Sequence, residues 1–94
     1  MKTDEKLESL NNAIEYIIGR NSKSYEGFID SDIIQGLITN DQLKDLRRKL
    51  HAFRHGSMVQ ERDEYTFDQK NFMINYATAI VIAAYDWKRS LVTT

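Results

Sequence analysis

The residues best suited to chemistry crowd one short stretch of the chain: Lys44, Arg47, Arg48, Lys49, His51, Arg54 and His55. Lys44, Arg47, His51 and Arg54 follow a 3-4-3 spacing, which on a helix aligns them in a basic ridge about 15 Å long. Such a ridge suits phosphate or an acidic protein surface, and the guanidinium forks of Arg47 and Arg48 each fit a phosphate or carboxylate in two-point fashion. The competing reading is a solvated helix face whose cations favour the negative end of the helix dipole. His51 and His55 stand four apart, a spacing that can chelate a metal. Between them, however, Ala52-Phe53-Arg54 supplies no glutamate of the HExxH kind and places a cation beside His55. No metal and no cofactor is assigned.

The tyrosines are the second set. Tyr16, Tyr25, Tyr65, Tyr76 and Tyr85, with Trp87, carry rings that are apolar in the body and polar at the tip, and such rings favour interfaces. Tyr25 and Tyr65 fall in expected connections, where exposed rings beside the basic ridge could stack a base; the alternative is a boundary layer around a small core. The candidate surface for a partner or an anion is therefore Lys44, Arg47, Arg48, Lys49, His51, Arg54, Tyr25 and Tyr65. Catalysis has less to work with. The chain has no Cys, no glycine-rich phosphate loop and no GxSxG elbow. Its carboxylate pairs, Asp30 with Asp32 and Asp63 with Glu64, are also what turns and helix caps select. No enzyme is expected.

Helices must position these residues, since three segments show helical periodicity and none shows a sustained strand pattern. The first runs from about Thr3 to Ile18, with Leu7, Leu10, Ile14 and Ile17 as its stripe, Thr3 as N-cap and Gly19 as a left-handed stop. Asn21 to Gly27 reads as a polar connection. Ser31 or Asp32 caps a helix of one or two turns ending at Gly36, with two three-residue strands as the alternative. Thr39-Asn40-Asp41-Gln42 is a capping box, with Ile38 and Leu43 at staple spacing, and opens a helix carrying Leu43, Leu46, Leu50 and Phe53 to Gly56. The Gly36 corner ahead of this basic helix has a helix-turn-helix outline. Against DNA reading, only Asn40 and Gln42 offer amides for base edges. Ser57 to Tyr65 is a charged loop or polar turn. A second capping box, Thr66-Phe67-Asp68-Gln69, opens the last helix, which reaches Arg89 or Leu91.

The expected fold is all-α: a small bundle of three main helices plus one short helix, with the long C-terminal helix central and residues 1–94 forming a single domain. Every residue from Ala79 to Tyr85 is apolar, so that stretch is expected to be surrounded on all sides. A chain this small buries only about 60–65% of its unfolded surface, so the cover is either ordinary packing within the chain or a second copy. The expected self-association residues are Ala79, Ala83, Tyr76, Ile80 and Trp87. The apolar run from Tyr76 to Tyr85 is half the roughly 20 residues a membrane span requires, and the charged N-terminus lacks the apolar core of a signal peptide.

Charge completes the picture. The 94 residues carry 13 basic and 14 acidic side chains, net −1, which excludes a generally basic nucleic-acid coat. The near-neutral total hides segregation: residues 1–43 are net −4, residues 44–55 net +4 and the remainder net −1. The absence of cysteine fits a reducing, cytoplasmic setting. The reading that follows is a non-enzymatic interaction module, a regulator, inhibitor or immunity-type protein that occupies another protein's surface and forms a homo-oligomer. The alternative is binding of nucleic acid or a nucleotide-type anion by the basic helix 44–55. The acidic first helix packing beside the basic one is the plainest outcome of the segregation.

Overall fold

Two capping boxes set where the helices behind them begin. In the computed structural model, which describes residues 2–19, 22–54 and 62–93 apart from the side chains of 22–25, 92 and 93, the Thr39 hydroxyl accepts from the Gln42 backbone at 3.2 Å. The Gln42 side chain accepts in return from the Thr39 N–H at 3.0 Å. Thr66 and Gln69 make the same reciprocal pair at 3.1 and 2.8 Å. Each box satisfies donors that a helix start otherwise orphans. Ile38 and Leu43, the staple pair, are both buried.

The described residues form five α-helices and no strand: α1 (Lys2–Ile18), α2 (Ser22–Ile29), α3 (Asp32–Gln35), α4 (Asn40–Leu50) and α5 (Phe67–Thr93). The fold is all-α, as its periodicity predicts. In α1 the stripe Leu7, Ile14, Ile17 and Ile18 is buried. Gly19 ends α1 with φ of 87° while its N–H bonds the Glu15 carbonyl at 2.9 Å, a left-handed turn that costs other residues about 1 kcal/mol or more. Because α1 already includes Lys2, Thr3 lies inside the helix and is not its cap.

The polar connection expected over Asn21–Gly27 is instead helical from Ser22. Its anchor is tertiary. Phe28 and Ile29 are buried, and the Phe28 ring meets Trp87 edge-on at 5.6 Å. Gly27 lies against the same indole, so close that a Cβ there would sit 3.4 Å from it. Ser31 stands at the N-cap of α3 as expected, yet its hydroxyl bonds back to the Phe28 carbonyl at 2.7 Å and closes α2. Gly36 follows α3, as its spacing predicts.

α4 stops at Leu50 and tightens into a 3-10 turn over His51–Phe53, short of the Gly56 stop expected for it. Ala52 and Phe53 are buried there. Arg62, arriving from the next segment, donates its Nε–H to the Ala52 carbonyl at 2.9 Å and satisfies a group the helix end leaves open. His55 and most of Ser57–Tyr65 lie outside the described residues.

α5 is the axis of the molecule. Its 27 residues span about 40 Å, close to the longest dimension of 43 Å, and α1, α3 and α4 pack on it. Met73, Ala77, Ile80, Ala83, Ala84 and Trp87 form its buried face. Lys70, only 6% exposed, ties its first turn to Asp4 of α1 at 2.9 Å, and its ammonium lies 5.8 Å from the centre of the Phe53 ring. Within the chain Ala79–Tyr85 is covered on most sides but not all, which leaves an apolar face over, as a chain of this size leads one to expect. Ala79, Ile82 and Tyr85 are exposed, Ile82 at 59%, because the described helices packed on α5 leave one side of it bare. No described helix is long and apolar enough to cross a membrane.

Candidate functional site

The capping box at Thr39 aims one side of α4 at the first half of α5, and a groove runs between them. On the α4 side it is lined by Ile38, Gln42, Asp45, Leu46 and Lys49; on the α5 side by Phe72, Met73 and Tyr76. Leu46, Ile38 and Met73 are buried and form the floor. Phe72 stands on the wall at 62% exposure, tilted against Tyr76 with ring centres 4.6 Å apart. The depression holds about 140 Å³ and continues into a second of about 270 Å³ through Lys49, Phe72 and Met73, toward Tyr65, Asp68 and Gln69. Each part is smaller than the roughly 300–1,000 Å³ of a typical small-molecule site. The groove is the right size to receive a few side chains of a partner.

Its rim is polar and largely committed. Gln42 and Gln69 serve the two capping boxes. Lys49 bonds Asp45 at 2.8 Å and Arg48 bonds the other oxygen at 2.7 Å. Hydrogen bonds from Lys49 and then Arg48 hold the Asp45 carboxyl below its ordinary value, and Asp45 in turn raises Arg48.

These pairs change the basic ridge. Lys44 and His51 are exposed and Arg47 is half-buried, but Arg48 and Lys49 share Asp45, and Arg54 faces Glu15 of α1 at 3.6 Å. The 3-10 turn also breaks the ridge's geometry. Three residues per turn, in place of 3.6, rotates Arg54 out of the continuous α-helical line assumed for it. The Glu15–Arg54 contact is the packing of acidic first helix against basic helix that the charge segregation anticipates.

The two tyrosines part company. Tyr25 belongs to α2, and its side chain lies outside the described residues. Tyr65 is half-buried, not exposed, because its ring packs on Phe53 at 6.1 Å and forms the end wall of the groove. The self-association set divides too. Ile80, Ala83 and Trp87 are in the chain's own core, Tyr76 is half-buried beside Phe72, and Ala79 alone is exposed. Sequence reasoning missed Phe72, Ile82 and the groove floor. The i, i+4 spacing of Phe72 and Tyr76 was the signal available for the first. Nothing local distinguished Ile82 from Ile80, since both lie in an unbroken apolar run. Compared with protein-family models, curated proteins and solved structures, the chain matches none.

Proposed function

We propose that this chain is a non-enzymatic interaction module of the cytoplasm, a regulator or inhibitor that occupies a partner protein's surface through the groove between α4 and α5. The observation that supports this is Phe72, mostly exposed and braced by Tyr76 above a floor of Met73 and Leu46. Aromatic side chains held rigid at the edge of an apolar depression are the usual anchors of protein interfaces. A short amphipathic helix of the partner, laying two or three apolar side chains into the groove, matches its dimensions. The alternative, anion binding by Lys44, Arg47, Arg48, Lys49 and Arg54, requires the anion to displace Asp45 and Glu15 from three of those cations. Salt separates the two readings, because phosphate contacts weaken steeply with ionic strength whereas apolar contacts do not. A partner captured from host extract should survive a wash at about 1 M salt. It should also be retained by Arg47→Glu/Arg48→Glu and lost from Phe72→Ser. Loss from the double charge reversal with retention by Phe72→Ser overturns the proposal in favour of the anion site.

A further inference from the structure

The outer side of α5 carries a second surface, separate from the groove floor. Asn75, Ala79, Ile82, Asp86 and Arg89 recur at 4-3-4-3 spacing, the repeat of a helix-pairing seam. All but the half-exposed Asp86 are exposed. Ala79 and Ile82 form its apolar centre, with Tyr85 exposed alongside. Asp68 lies toward one end, Lys88 and Arg89 toward the other, and Asp86 is ion-paired with Arg89.

We infer that this face binds a second copy of the same chain, with the two α5 helices antiparallel. The reason is that the face contains its own complement, as a two-fold interface requires. Antiparallel pairing about a centre between Ala79 and Ile82 sets Ala79 of each copy against Ile82 of the other and Asn75 against Asp86. Arg89 of each copy then comes to Phe72 of the other and within one helical turn of its Asp68. Small meets large at the centre, amide meets carboxylate on either side, and cation meets ring and acid at the ends. Parallel pairing would instead stack Asp86 on Asp86, Arg89 on Arg89 and Asn75 on Asn75, like upon like at every polar layer. The antiparallel order also opposes the helix dipoles. The seam shares Phe72 with the wall of the α4–α5 groove, but its centre at Ala79 and Ile82 lies outside the groove lining.

The full chain is its own probe, and its lack of cysteine makes cross-linking clean. Sedimentation equilibrium over about 1–500 µM should show the 11.0 kDa chain approaching about 22 kDa. Ile82→Glu should stay near 11 kDa with an unchanged helical circular-dichroism spectrum, since Ile82 is outside the core. Asn75→Cys and Asp86→Cys, mixed and oxidised, should form the mixed disulfide. Homodisulfides are precluded in this arrangement, because like positions then lie 11 residues, about 16 Å, apart, whereas a disulfide spans Cα atoms less than about 7 Å apart. Homodisulfides at either position overturn the antiparallel order. A dimeric Ile82→Glu overturns the choice of face, and a wild-type chain of 11 kDa at every concentration overturns the second copy altogether.

Discussion

Asn11 sits where an apolar residue belongs. On α1 it lies between Leu7 and Ile14 in the core stripe and is 3% exposed, and its Nδ2 is buried with no hydrogen-bond partner among the described residues. Burying an amide donor without an acceptor costs about 1–3 kcal/mol. Replacing Asn11 by Leu removes that cost and adds about 0.5 kcal/mol of helix propensity, but the larger side chain must fit a packed interior, at about 1 kcal/mol or more. The balance favours Asn11→Leu by about 1–2 kcal/mol, with Asn11→Ala, which adds no volume, as the control for crowding. For a domain of this size each kcal/mol moves the melting temperature by about 4–8 °C. Thermal and urea denaturation of wild type and both variants, at fixed concentration so that self-association is held constant, gives the comparison. Destabilisation of both variants by more than about 1 kcal/mol refutes the reasoning, because it means the amide has a bond that the folded chain needs.

Two further predictions rest on charge. Lys70 and Asp4 form a largely buried pair, so Asp4→Asn, which leaves the Lys70 ammonium buried without its carboxylate, should cost about 2–4 kcal/mol. The double variant Asp4→Asn/Lys70→Met should cost clearly less than the two single changes together, and a cycle of urea melts showing simple additivity would remove the coupling. Asp45, with its carboxyl held down by Lys49 and Arg48, should titrate below 3.8 by NMR and move back up in Lys49→Ala. A depressed folded-state value means this pairing contributes above the ordinary carboxylate range and is lost as pH falls through the lowered value, so a midpoint at or above 3.8 contradicts the geometry.

Much of the fold was legible because its signals are local. The Thr39–Gln42 and Thr66–Gln69 boxes, the left-handed Gly19 and the cap position of Ser31 each follow from a few adjacent residues. α2 was not legible, since its eight residues are held by the contact of Phe28 and Gly27 with Trp87, some sixty positions away in the chain. The early end of α4 was hidden for a similar reason: the carbonyl of Ala52 is satisfied by Arg62, from beyond the Gly56 stop. The candidate site was half legible. Composition singled out the cations of 44–54, but charge on a helix does not reveal its partners, and Asp45 and Glu15 take up three of them.

By itself the sequence determined the class and most helix boundaries, because caps and periodicity are properties of neighbours along the chain. It also determined the segregation of charge. Only the tertiary structure decided which side of α5 is core and which is surface. In a run that is apolar all round, the helical repeat carries no phase, so Ile80 and Ile82 look alike until α1, α3 and α4 take their places. That packing buried Ile80, Ala83 and Trp87 and left Ile82 bare. It also set Phe72 above a groove that no stretch of sequence contains.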